Sequence, residues 1–225
     1  MALSHGFRAL TVGVLPVLTG LGWSGPAAGA VCPPATGSYR VDVVIDLPPV
    51  EIHHDLSRAQ LGLLAFHGPS DRILGVTASS LRAGTSTRYG HRPLEGEGVC
   101  FWVDGIEVLL RYEALDIYVA SEYPQGSCQY EAILSHEKKH ADVARTYLDD
   151  YVQTIRSVLT SLSIPKPRGP RLVASAAEAE EEIQATIARL LGPVIARLRA
   201  DMQAAQSKID TPTEYRRVER QCSSW

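Results

Sequence analysis

Ser135-His136-Glu137-Lys138-Lys139-His140, an HExxH sequence, decides how this chain is read. It lies within Gln129-Tyr-Glu-Ala-Ile-Leu-Ser-His-Glu-Lys-Lys-His-Ala-Asp-Val-Ala-Arg-Thr-Tyr-Leu148, a run without Gly or Pro and rich in helix formers. On a helix, His136 and His140 stand one turn apart on one face, so two imidazoles can reach one metal ion. Glu137 falls about 100° round from His136. That places it beside the ligands, where a general base for water activated by the metal belongs. The competing reading is a chance match on a solvated helix. The flanks weigh against it, because Ser127 offers a helix start just ahead of the run.

The chain has 225 residues, 45% of them hydrophobic, and a formal charge of -3, enough for one full core and without the basic excess of a nucleic-acid binder. Residues 1–30 read as a signal peptide. A short polar start with His5 and Arg8 precedes the apolar Ala9-Leu-Thr-Val-Gly-Val-Leu-Pro-Val-Leu-Thr-Gly-Leu21, too short for an ordinary membrane span. Ala28-Gly29-Ala30 supplies a small-x-small cleavage pattern, so the processed chain is expected to begin at Val31 in the periplasm or outside the cell. No later segment reaches 18 apolar residues, so no membrane span is expected there. Cys32, Cys100, Cys128 and Cys222 are widely spaced and form no CxxC pair. In an exported chain they read as two disulfides. Of the three possible pairings, Cys32–Cys100 with Cys128–Cys222 is the one favoured.

Strands are expected at 38–45 and 73–77, with a short helix beginning after Ser57. Residues 83–91 read as strand or loop. Val99-Cys-Phe-Trp-Val103 and Ile106-Glu-Val-Leu-Leu-Arg-Tyr112 flank Asp104-Gly105, a two-residue hairpin signal, and Leu115-Asp-Ile-Tyr-Val-Ala120 reads as a third strand. The motif helix is predicted over 128–162, with Leu134, Ala141, Ala144, Leu148, Val152, Ile155 and Leu159 as its apolar stripe. Pro165, Pro167, Gly169 and Pro170 stop it. A second long helix is predicted over 173–209, buried through Ile183, Ile187, Leu190, Leu191, Ile195 and Leu198 and kinked at Gly192-Pro193. The turn Asp210-Thr-Pro-Thr-Glu-Tyr215 then leads into a short final helix. The expected fold is therefore α+β: a small antiparallel or mixed sheet packed on the long HExxH-bearing helix and a second, antiparallel long helix. It forms one domain over 31–225, mainly β over 31–122 and mainly helical over 128–225.

Three strands feeding an HExxH helix resemble the zincin metallopeptidases. In that fold the strand before the helix rims the cleft and pairs with an extended substrate. The resemblance implies a peptide or protein substrate along residues 115–120 and a catalytic zinc. The layout also resembles a family of exported bacterial proteins described as zinc-dependent proteases. These carry strands, HExxH, a long helical hairpin and an Asp-x-x-Thr turn near the C-terminus. Asp210 and Thr213 match that turn, while Tyr215 stands where the family has a His two residues after the Thr.

Catalytic zinc takes three protein ligands and leaves one position open. The metzincin extension is absent, since Val143 and Thr146 stand where its Gly and His belong. Glu178, Glu180, Glu181 and Glu182 would face residues near Arg156, about 24 Å along the axis from His140, if the helices form a hairpin about residue 168. They suit the N-terminal end of the second helix instead. Glu214, Asp210 and Asp201, in that order, are the candidates for the third ligand. Tyr215 is a candidate hydrogen-bond donor to a tetrahedral oxyanion, against the simpler reading of a packed tyrosine. His53 and His54 are adjacent and would point to opposite faces of a strand, so they are read as structural. Peptide hydrolysis at zinc, with Glu137 as base, is the expected function. Zinc or partner binding without turnover, or a purely structural envelope role, is the alternative.

Overall fold

A single strand, Gly98–Val119, runs where the sequence suggested three strands and a hairpin. The computed structural model describes residues 31–64, 73–96 and 98–225. In chain order its elements are β1 (Arg40–Asp46), β2 (Glu51–His53), α1 (Arg58–Leu64), β3 (Gly75–Leu94), β4 (Gly98–Val119), α2 (Cys128–Thr160), β5 (Arg171–Val173), α3 (Ala176–Ile209) and α4 (Pro212–Glu219). The signal-peptide reading of 1–30 lies outside the described residues. From Cys32 to Trp225 the chain forms one compact unit.

The expected Asp104-Gly105 hairpin does not form, and the pairing register shows why. Arg88 pairs with Gly105 and Tyr89 with Val103, so Asp104 is an extra residue on β4, a bulge rather than a turn. A second irregularity follows where Ser79 pairs with Leu115 and Leu81 with Tyr112. Each bulge resets the two-residue alternation. The buried face is carried by Phe101 and Val103, then by Ile106, Val108, Leu110 and Tyr112, then by Leu115, Ile117 and Val119. Without the two extra residues, a strand this long would turn one stretch of its apolar residues to the wrong face. The Trp102 indole N–H donates to Asp104 Oδ1 (2.9 Å), which occupies the side chain at the first bulge.

β4 is the central strand. β1 and β2 pair with it in parallel, and β3 and β5 in antiparallel fashion. An all-antiparallel sheet is therefore excluded. The expectation that residues 115–120 form an edge also fails. Asp116, Ile117 and Tyr118 pair with Glu51, Ile52 and His53 on one side, and with Ala78, Thr77 and Val76 on the other. β1, β2, β3 and β5 each pair with β4 alone, so each has an outer edge without a strand partner among the described residues, and that of β3 adjoins Glu137.

α2 and α3 pack on the sheet's apolar face. Leu148, Ile155 and Leu159 of α2 and Ile187 and Leu198 of α3 are at most 1% exposed. Val152 and Ile195 of the predicted stripes are half-buried, and Leu190 is exposed rather than core. Burying each such Leu or Ile stabilises the fold by about 1.5–3 kcal/mol. Tyr112 sits under the helix pair, its hydroxyl against Ala144 O (3.3 Å) and Met202 Sδ (2.9 Å). Ser127 caps α2 as predicted, accepting from the Tyr130 N–H, and Ser175 caps α3 through the Glu178 N–H. α2 ends at Thr160, and Arg171–Val173, at whose last residue the second helix was expected to start, pair with β4 as β5. α3 runs through Gly192-Pro193 as one element.

The helices are antiparallel. His140 meets Gln206, and Tyr151 meets Asp201. Those pairs put the fold point of the hairpin at β5, later than the Pro-rich turn near residue 168. The partners of the motif histidines therefore fall further along α3 than the 168 turn implied. Two disulfides brace the unit, Cys32–Cys100 and Cys128–Cys222. They suit an oxidising compartment. No helix among the described residues is long and apolar enough to cross a membrane.

Candidate metal centre

His136 and His140 lie on the buried face of α2, and Asp210 meets them from the end of α3. Local sequence fixes the Asp. Thr211 caps α4, its hydroxyl accepting from the Glu214 N–H, and Pro212 occupies the first turn. Asp210 is therefore held outside both helices, at the C-cap of α3, with its N–H donated to Gln206 O (3.3 Å). Its carboxylate faces the two imidazoles.

The three donor atoms form a nearly equilateral triangle. Nε2 of His136 and Nε2 of His140 are 3.3 Å apart. Asp210 Oδ1 lies 3.3 Å from the first and 3.1 Å from the second. The edge of a tetrahedron is about 1.63 times the bond from its centre, so metal bonds of about 2.0 Å require edges of about 3.3 Å. The triangle has that size. His136, His140 and Asp210 could hold a metal ion.

Hydrogen bonds fix the tautomer of His140. Gln206 donates its amide N–H to His140 O (3.0 Å), which turns its carbonyl Oε1 toward His140 Nδ1 at 2.5 Å. Nδ1 must then be the donor, and in a neutral ring Nε2 carries a lone pair. That lone pair faces a carboxylate oxygen and a second imidazole nitrogen. When His136 likewise turns an Nε2 lone pair inward, the three atoms present three acceptors to one point, as a metal ion requires. Burial pulls the His140 pKa down, but hydrogen bonds to Asp210 and Gln206 and the charge of Glu137 outweigh it and raise it above 6.5. Burial alone would raise the Asp210 carboxyl, yet its bonds to His136, His140 and Tyr215 hold it far below the usual range.

Glu137 is 6% exposed and forms no ion pair among the described residues. Burial pushes its pKa up, against the opposing pull of His140, His136 and Thr77. Thr77 on β3 places its hydroxyl 2.9 Å from both the main-chain O and Oε2 of Glu137. With one proton to give, it donates to the carboxylate when Glu137 is ionised. When Glu137 is protonated, Thr77 accepts from it and donates to the main chain. The support therefore fits either state of the carboxyl. Gly75 leaves the carboxylate room, since a Cβ there would lie 2.9 Å from Glu137 Cγ and Oε1.

Glu214, the first candidate for third ligand, does not join the triangle. Its carboxylate is taken by Lys139 and by Arg217, the latter at 2.6 and 2.7 Å, which hold its pKa down at about 2. It lies 3.7 Å from His136 Nδ1, a buried nitrogen with no hydrogen-bond partner. Glu214 thus stands behind the ligand rather than at the ion, as carboxylates do that orient a metal-bound imidazole. Asp201 is excluded, because it pairs with Arg197 (2.8 Å) and Tyr151 (2.6 Å) farther up the helices. Tyr215 lies at the site, its ring tilted on His136 with centroids 5.7 Å apart. Its hydroxyl proton goes to Asp210 Oδ1 (3.1 Å), so here it orients a ligand rather than standing free for an oxyanion.

Gly75, Thr77 and Gln206 were not singled out from the sequence. Of the histidines read as structural, His54 donates its Nε2–H to Tyr123 O (2.7 Å) and His53 stacks on Tyr118 with ring centroids 4.6 Å apart. Comparison with family models, curated proteins and solved structures gives no match.

Proposed function

We propose that this chain is an exported zinc-dependent peptidase, of the zincin type its motif resembles. The observation that carries the reading is the Nε2–Nε2–Oδ1 triangle of His136, His140 and Asp210 beside the buried carboxylate of Glu137. Two neutral imidazoles and one carboxylate at a tetrahedral edge length suit the ligand set of catalytic zinc. A zinc ion held there supplies Lewis acidity toward water and a substrate carbonyl. Glu137 accepts the proton of the attacking water at its carboxylate, and its raised proton affinity keeps that proton through the addition. It then delivers the proton to the departing amine nitrogen. Thr77 holds the carboxyl in place through both states. Gln206 keeps the Nε2 lone pair of His140 turned inward, and Tyr215 fixes Asp210. Residues 115–120 have no free edge to offer. The strand adjoining Glu137 is β3, and its unpartnered outer edge is where an extended substrate backbone would pair.

A second reading, metal binding without turnover, is favoured by the low exposure of the site: His136, Glu137 and His140 are between 5% and 8% exposed. Metal content and peptide hydrolysis of the purified protein separate the two, with Glu137→Ala alongside wild type. Zinc with cleavage that vanishes in Glu137→Ala supports the peptidase. Zinc without cleavage supports the binder, and the absence of bound metal defeats both.

A further inference from the structure

Away from the metal centre, β3 and α3 leave a groove of about 320 Å³ between them, at the small end of ligand pockets. Its cause is side-chain size. Ala83, Gly84 and Thr85 line the strand side, and Gly192, Ile195 and Arg199 are among the helix residues opposite. At Gly84 and Gly192 an added Cβ would meet nothing within 4 Å. The floor is apolar, formed by the buried Val108 of β4 and Leu191 of α3.

Two further features say what fits. β3, the strand bounding the groove, has an outer edge with no strand partner among the described residues, so main-chain groups there, Leu81 O apart, are open to a guest strand. Arg199, at the groove, gives a hydrogen bond to Leu81 O (3.4 Å) but makes no ion pair among the described residues. An unpaired edge, an apolar trough and a guanidinium without a carboxylate call for a guest with amide groups, apolar side chains and one negative charge.

We propose that this groove binds an extended polypeptide segment that adds to β3 as a strand, its apolar side chains in the trough and an acidic side chain on Arg199. The binding does not depend on hydrolysis, so its test is separate from that of the metal centre. Residues 83–85 lie about 20 Å along β3 from Thr77, at roughly 3.3 Å per residue.

Hydrogen–deuterium exchange of the whole chain tests this, with a Val/Thr-alternating peptide of about ten residues carrying one central Glu. The expected result is slowed exchange over residues 81–87. Protection should fall at least about tenfold in affinity when the Glu is replaced by Lys. Gly192→Trp, which fills the trough from a position facing open space, should abolish protection while leaving thermal unfolding unchanged. Arg199→Glu should reverse the preference, taking the Lys peptide over the Glu peptide. No protection by either peptide, equal protection by both, or protection that survives Gly192→Trp would overturn the proposal. Displacement of the peptide by dodecanoate would assign the trough to an acyl chain instead. Protection that grows with protein concentration and needs no peptide would assign it to a second copy of the chain.

Discussion

Gly75 and Glu137 are fitted to each other across the boundary between sheet and helix: a Cβ at residue 75 would lie 2.9 Å from Glu137 Cγ and Oε1 and 2.7 Å from Ile133 Cγ2. Both neighbours are buried, so neither has space to retreat into. Gly75→Ala is expected to displace the carboxyl of Glu137 and to destabilise the fold by about 1–3 kcal/mol through overpacking. Peptide hydrolysis should fall by at least about tenfold with zinc content retained. Unchanged hydrolysis in a folded Gly75→Ala protein would show that the carboxyl does not depend on this contact.

Gln206 grips His140 at both its Nδ1 and its main-chain O. Gln206→Leu removes the acceptor that selects the tautomer. It should weaken zinc binding about 10–100-fold, the usual cost of losing a partner that orients a ligand. Gln206→Glu keeps an acceptor at Nδ1 and should recover part of that loss. Competition with a chromophoric chelator measures both, and equal affinities for wild type and Gln206→Leu would refute the assigned role.

The Cys128–Cys222 bridge joins the first residue of α2 to the chain just beyond α4, so it clamps the segment that carries Asp210 onto the helix that carries the histidines. Cys128→Ser with Cys222→Ser should cost about 2–5 kcal/mol of stability and also lower zinc affinity. The other bridge ties Cys32 to Cys100 in β4, away from the triangle. Removing it should cost stability with zinc affinity preserved. Thermal unfolding and chelator competition on the two double variants distinguish these outcomes.

Metal and proton compete for the same lone pair on His140. Its pKa in the folded, metal-free chain is raised above 6.5, so the stability it contributes is fully present below 6.5 and is lost as pH rises through the raised value. Zinc requires the neutral ring, so its affinity should fall by about tenfold per pH unit once the pH drops below that raised value, starting above 6.5. Asp210 is not the titrating group, because its pKa is held far below the usual range. Calorimetric titrations in buffers of different ionisation enthalpy should show about one proton released per zinc near pH 6.5.

The motif helix was legible in the sequence because everything it needs is local: the Ser127 cap, the i, i+4 histidines and the apolar stripe from Leu134 to Leu159. β4 was not. Asp104-Gly105 is as good a bulge as it is a turn, and the choice is made by partners distant in sequence, Arg40 and Arg88, that pair with Gly105. Glu214 ranked ahead of Asp210 from the sequence, whereas Asp210 is the carboxylate grouped with the histidines, for a reason that was visible. Thr211-Pro212-Thr213-Glu214 is a helix-start pattern, which leaves Asp210 outside the helix and sends Glu214 one turn into it, within reach of Lys139 and Arg217. The supports of Glu137 and His140 carried no local signal at all. Thr77 is 60 residues from Glu137, and Gln206 is 66 from His140.

The triangle also dictates an order of events during biosynthesis. Asp210 follows His140 by 70 residues, so a ribosome that has delivered both histidines has still to make a whole long helix before the third donor emerges. A growing chain offers a passing cation only two imidazoles, which is a weak chelate, and the centre matures after the hairpin has closed. Any chain cut short within α3 keeps its HExxH sequence yet is left without a completed centre.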